Sequence, residues 1–277
     1  MSLAICSSIP PPAKMPPLPE PYIQRGPQSI WVIRHGQSAG NVARDAAELA
    51  GHPLIDIATR DIDTPLSELG ERQAMALGKW LANLQETEWP TVVLCSPYRR
   101  AMDSGRLMLE SAGLDDTVPL LCDERLREKE FGILDRLTVH GIKARHPELH
   151  AQRRDVGKFY FRPPGGESWC DVILRLRGMI DTLMLEHDGE RVVLMAHQVV
   201  VNCMRYLFEC LSESEILAID ALGDVPNCGL TAYEPAGPAA RRKGQKWQLR
   251  ELNFTLPLEQ AGQPVTGESD VPAAAKP

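Results

Sequence analysis

Four stretches of this chain place chemically capable side chains directly behind short apolar runs. Ile30-Trp31-Val32-Ile33 is followed by Arg34-His35-Gly36-Gln37-Ser38-Ala39-Gly40-Asn41. Val92-Val93-Leu94-Cys95 is followed by Ser96-Pro97-Tyr98-Arg99-Arg100-Ala101. The run from Pro119 to Cys122 leads into a charged segment containing Glu128, and Val192-Val193-Leu194-Met195-Ala196 leads into His197-Gln198. If these runs are neighbouring strands, two histidines, at least two arginines and an acid converge on one mouth. That set suits a tetrahedral dianion. Arginines are permanently charged forks that match phosphoryl oxygens. A neutral histidine can attack phosphorus and carry the phosphoryl group. A second histidine can donate to the oxygens where transition-state charge collects. A carboxylic acid can protonate the leaving oxygen and then activate water. Arginine and histidine supply the positive field, so this chemistry calls for no cofactor and no metal.

The convergence requires a sheet. Short β-rich runs alternate here with helical periods, which implies a largely parallel sheet covered on both faces, with ligands at the carboxyl ends of its strands. Ser67 is a cap for a helix carrying Leu69, Leu77, Leu81 and Leu84. Arg99 to Glu110 reads as a second helix, and Ser168 to His187 as the clearest, with Trp169, Val172, Leu176, Ile180 and Leu183 on one face. Its opening, Ser168-Trp169-Cys170-Asp171, is the acidic form of a capping box. Gln198 to Leu211 forms a helix after the fourth strand, and Gly229 to Glu234 and Lys246 to Leu252 read as two final strands. One domain over residues 28–256 is expected. Eight prolines within residues 1–28 mark 1–27 as an extended or disordered arm, and Gly, Pro, Ala and Glu mark 257–277 as a disordered tail.

Composition narrows the partners. The net charge of −7 argues against a surface built wholly for nucleic acid or anionic lipid. No apolar run approaches the ~20 residues of a membrane span. A small-molecule ligand is therefore expected, with no nucleic acid and no membrane. The seven cysteines contain no Cys-x-x-Cys pair and several lie in apolar runs, which suits reduced thiols and a cytoplasmic setting. His140, His146 and His150 are separated by Pro147 and read as surface residues rather than as a metal site.

In combination, these stretches resemble the histidine phosphatase superfamily, also called phosphoglycerate mutase-like. Ile33-Arg34-His35-Gly36-Gln37-Ser38 is similar to its signature, with Asn41 at the phosphate-contact position. Asp63-Thr64-Pro65-Leu66-Ser67-Glu68-Leu69-Gly70 resembles its "pLs..G..qa" segment. Ser96-Pro97-Tyr98-Arg99-Arg100-Ala101 resembles "SPlxRA", Leu126-Arg127-Glu128-Lys129-Glu130-Phe131-Gly132 resembles "LxExxfG", Gly166-Glu167-Ser168 matches "GES", and Ala196-His197 matches the second histidine. The resemblance implies a three-layer α/β/α sandwich with a mostly parallel central sheet. It implies His35 as the phosphorylated nucleophile, Arg34, Arg100 and His197 as holders of the phosphoryl group, and Glu128 as general acid and then base. By analogy, the other nitrogen of His35 is oriented by a nearby backbone carbonyl. Ser38, Asn41 and Gln198 are expected to touch substrate. Dimers are common among relatives, so the resemblance admits a homodimer.

Two departures bear on the substrate. Gln198 stands where most members carry Gly, as in the fructose-2,6-bisphosphatase branch, and Ile133-Leu134-Asp135 replaces the frequent "xWEG". Between Gly132 and Gly166, the cluster Arg153, Arg154, Lys158, Tyr160 and Arg162 reads either as a lid meeting a second anionic group, with Lys158 and Arg162 binding substrate, or as a solvated basic face. The compact segment 129–196 favours a metal-independent phosphomonoesterase. The alternatives are a phosphoglycerate mutase-type phosphoryl transfer and a catalytically silent phosphate-binding scaffold.

Overall fold

The computed structural model describes residues 26–267 except 238, 240, 242 and 243. Its six strands are β1 (Ser29–Arg34), β2 (Val92–Cys95), β3 (Leu120–Cys122), β4 (Arg191–Ala196), β5 (Leu230–Pro235) and β6 (Trp247–Phe254). They form one sheet in the order β3-β2-β4-β1-β5-β6. β1, β2, β3 and β4 run parallel, while β5 and β6 complete one edge antiparallel. The register aligns the strand ends: Arg34 lies beside Ala196, and Cys95 beside both Met195 and Cys122. The next residues along the chain, His35, His197 and Ser96, therefore emerge at a single edge of the sheet.

Side chains alternate between two cores, as the two-residue period of a strand requires. Val92, Leu94, Val192 and Leu194 face one core with α6 (Trp169–Glu186), α7 (Gln198–Phe208) and α8 (Glu213–Leu222). Val93, Cys95, Val193 and Met195 face the other with α2 (Glu68–Ala82) and α3 (Arg99–Ala112). A strand buried on both faces needs the continuous apolar runs that the sequence carries. The result is the expected α/β/α sandwich. Ser67 caps α2 by accepting from the Gly70 amide at 3.1 Å, and Ser168 and Asp171 close the capping box of α6. Among the described residues no helix is long and apolar enough to cross a membrane.

Three features lie outside the sequence reading. α1 (Ala39–Leu49) starts four residues after His35, closed by a capping box in which Asn41 accepts from the Ser38 amide at 2.9 Å and the Asn41 amide donates to Ser38 Oγ at 3.1 Å. α4 (Val139–Arg145) and α5 (Pro147–Val156) are two short helices beside a small separate cluster of Leu134, Leu137, Ile142 and Phe161. The stretch expected to be a loose tail from 257 is structured through 267. Leu256–Gln260 forms α9, with Pro257 in its first turn and Leu258 fully buried beside α2. Gln73 donates to the Pro264 carbonyl and Thr266 Oγ1, both at 3.0 Å, and the Asn227 amide donates to the Thr266 carbonyl at 2.8 Å. A single buried leucine and three satisfied polar groups outweigh the composition. At the other end, residues 1–25 of the expected arm lie outside the described residues, while Gly26 and Pro27 are buried and the Gly26 carbonyl accepts from the Gly189 amide at 2.9 Å.

Candidate active site

His35 leaves β1 fully buried. Its Nδ1 lies 2.6 Å from the Gly36 carbonyl, and Arg100 Nε donates to its Nε2 at 3.1 Å. A carbonyl only accepts and a guanidinium only donates, so the two contacts together specify the neutral tautomer with the proton on Nδ1 and the lone pair on Nε2. The backbone around His35 is held equally firmly. The Gly36 amide donates to Ser104 Oγ at 3.0 Å, and that hydroxyl donates to the Arg100 carbonyl at 2.7 Å. The Gln37 amide donates to Gln73 Oε1 at 2.9 Å, and Asn227 Nδ2 donates to the His35 carbonyl at 3.0 Å. At Gly70 the chain passes so close that a Cβ would sit 1.9 Å from the Gln37 carbonyl oxygen, which excludes any side chain there.

The other strand ends complete the set. His197 is the residue immediately before α7, so it stands at the positive end of that helix dipole. Its ring centroid is 5.0 Å from that of His35 and 5.1 Å from that of Tyr98, and its Nε2 lies 2.7 Å from Ser96 Oγ. Arg100, in the first turn of α3, is 4% exposed and lies 5.0 Å above the Tyr98 ring. Arg34 is fully buried and donates to the Val225 carbonyl at 2.5 Å. Glu128 is fully buried too, and its Oε1 accepts from the Lys129 amide at 2.7 Å. Glu167, from the "GES" element, stands behind it as a clamp. It accepts from Arg127 at 2.6 Å, from Arg175 at 3.0 Å and from the Glu130 amide at 3.1 Å, which fixes the segment bearing Glu128.

The residues expected to touch substrate divide. Ser38 and Asn41 line a pocket with Arg44, Asp61, Arg100 and Phe131. Gln198 is buried, and its Nε2 donates to Asp224 at 2.6 Å. Lys158 lines a second pocket on the other side of Phe131, with Lys129, Arg153, Ile142 and Trp169. Lys158 also pairs with Asp220. Arg162 is not brought to either pocket. Its side chain is 63% exposed and pairs with Asp171, whose carboxyl it helps to hold down at about 2 against the opposing effect of burial. Arg154 and Tyr160 are exposed as well, so only part of the basic cluster faces inward.

Several residues of the site have no assigned role in the sequence reading. Tyr98 donates to Glu130 at 2.8 Å, and burial pushes its hydroxyl pKa up. Lys129 is 8% exposed with its Nζ 4.4 Å from the Phe131 ring centroid. Burial pushes its amine down to about 8, against the pull of the Glu128 carboxylate, with Arg153 and Lys158 adding to the depression. Asp61 and Asn227 carry no local motif that marks them. Lys129 sits inside one, directly after the acid, and that adjacency is the available signal.

A family model for the histidine phosphatase superfamily (branch 1) matches residues 30–254. The chain belongs to this superfamily. Among its relatives is a 6-phosphofructo-2-kinase/fructose-2,6-bisphosphatase of Caenorhabditis elegans, 31% identical over 195 residues that make up 70% of this chain and 37% of that protein. The histidine phosphatase chain thus spans well under half of that longer protein. A 2,3-bisphosphoglycerate-dependent phosphoglycerate mutase of Gloeobacter violaceus is 30% identical over 71% of this chain and 83% of its own length. Among solved structures, a mycobacterial glucosyl-3-phosphoglycerate phosphatase complexed with VO3 superposes with a TM-score of 0.60 at 26% identity, covering 82% of this chain and 99% of that one. Membership supports a phosphatase- or mutase-type enzyme and the phosphoglycerate mutase-like fold.

Proposed function

We propose that this chain is a metal-independent phosphomonoesterase that works through a phosphohistidine on His35. The observation that carries this reading is the pair of contacts on the His35 ring. Nδ1 is committed to the Gly36 carbonyl and Nε2 faces Arg100, a guanidinium suited to a phosphoryl oxygen. Nε2 attacks phosphorus, and the bond to the ester oxygen breaks. Glu128 as a carboxylic acid gives that oxygen its proton. Glu128 as a carboxylate then takes a proton from water, which attacks the phosphohistidine and releases orthophosphate and neutral His35. Arg34, Arg100 and His197 hold the charge that spreads over the phosphoryl oxygens.

The substrate in this reading is a small phosphomonoester carrying a second anionic group. Lys129, Arg153 and Lys158 share one pocket walled by Phe131 and Trp169, next to the segment bearing Glu128. The fructose-2,6-bisphosphatase and glucosyl-3-phosphoglycerate phosphatase likenesses support hydrolysis. A rapid quench during turnover of a radiolabelled aryl phosphate, whose good leaving group makes dephosphorylation limiting, should leave acid-labile, base-stable phosphate on the peptide holding His35. This should hold with a chelator present. Label on another residue, or turnover that strictly needs a divalent ion, refutes the reading.

A further inference from the structure

Asp61 lies in a short helical turn, Asp61–Asp63, on the connection between α1 and α2, outside every motif of the sequence. It nevertheless grips the guanidinium of Arg100. Nη1 donates to the Asp61 carbonyl at 2.8 Å and to Oδ1 at 2.9 Å, and Nη2 donates to Oδ2 at 3.4 Å. From the opposite edge of the same fork, Nε donates to His35 Nε2 at 3.1 Å. The pair is asymmetric: the Arg100 side chain is 4% exposed and that of Asp61 40%. Asp61 thus reaches in from the water side and sets a negative charge against a cation of the phosphoryl site.

That geometry acts on Arg100 in two ways. A carboxylate on the Nη edge of a planar fork restricts its orientation and keeps the Nε edge turned toward His35. The same carboxylate offsets much of the positive field that would hold a phosphate dianion. Its charge is felt across the pocket: burial first, and then Asp61, push the carboxyl of Asp135 up. We propose that Asp61 is a positioning residue, a tethered counter-anion that aims Arg100 at the nucleophile and keeps orthophosphate from binding tightly, so that product leaves. This rests on the roles given above to His35 and Arg100.

The test is orthophosphate and vanadate binding to the full chain, by calorimetry and by competition against aryl phosphate hydrolysis, in wild type, Asp61→Asn and Asp61→Glu. Asp61→Asn keeps the shape and loses the charge. It should bind orthophosphate about five- to tenfold more tightly and lower KM more than kcat. Asp61→Glu should restore wild-type affinity. A side chain that merely braced its loop would leave phosphate binding unchanged or weaker in Asp61→Asn, and that result overturns the proposal. Equal tightening in Asp61→Glu overturns it too, since the charge is still there. Calorimetry needs no turnover, so the two readings fail separately. Wild type that binds neither anion removes the phosphohistidine reading and this one with it, whereas wild-type binding without tightening in Asp61→Asn removes this one alone.

Discussion

The cradle at the strand ends and the segment 132–166 are built to different standards. His35, Arg34, His197 and Glu128 are all fully buried, each emerging from or shortly after a strand of one continuous sheet. That segment has α4 and α5 on a core of four buried side chains, and α5 has no buried residue of its own. Arg34, His35 and Glu128 bond to backbone and His197 lies against buried Ser96, whereas the segment 132–166 spends Arg154 and Arg162 on surface ion pairs with Asp155 and Asp171. Exposed pairs of this kind add little to stability. The cradle is thus anchored in the sheet, whereas the segment 132–166 is anchored only slightly.

That division can be broken from the cradle side first. His35→Ala should lower kcat by roughly ten-thousand-fold or more, since the proposed phosphoryl acceptor is lost. Steady-state assay of purified protein checks it, and substantial residual turnover would move the nucleophile elsewhere. Glu128→Gln should cost about a hundred- to thousandfold with alkyl phosphates and far less with nitrophenyl phosphate, whose leaving oxygen needs little protonation. A Brønsted series across leaving groups reads this directly, and an equal loss along the series would take the acid role from Glu128.

In the pocket that Lys129 shares with Arg153 and Lys158 the effects should be smaller and confined to substrate choice. Lys129→Met should lower kcat/KM about ten- to hundredfold for phosphomonoesters with a second anionic group and leave simple aryl phosphates nearly untouched. The sign of the pH effect comes from the Lys129 amine, pushed down to about 8 by burial. Below that pH it is an ammonium and attracts the second anion; above it the charge is lost. For doubly anionic substrates kcat/KM should therefore fall as pH rises through about 8, and the inflection should vanish in Lys129→Met. A profile identical for both substrate types would place the second anion outside this pocket.

The cradle is legible because its signals are local. A run such as Val92 to Cys95, short, bounded and apolar at every position, reads as a strand buried on both faces, and the residues directly after it then sit at the sheet edge. Ser168 and Asp171 announce the start of α6 three residues apart. α1 is hidden because its start is also the phosphate-contact motif: Ser38 and Asn41 read as ligands, and their capping roles become visible only with the backbone in place. Arg162 fails as a pocket residue because charge density in sequence does not tell which way a side chain points, and Asp171 claims it. Asp61 and Asn227 reach their partners across 39 and 192 residues of chain, and no local pattern encodes a contact of that span.

Gln73 and Asn227 give the segment beyond the sheet a significance its composition hides. Gln73 takes the Gln37 amide with its oxygen and holds Pro264 and Thr266 with its nitrogen. Asn227 binds the His35 carbonyl on one side and Thr266 on the other. Two relays, each one side chain long, thus connect the stretch around Pro264 to Thr266 with the loop of His35. Trimming this chain back to its final strand would cut both lines, and the damage should surface as a misaimed His35 imidazole.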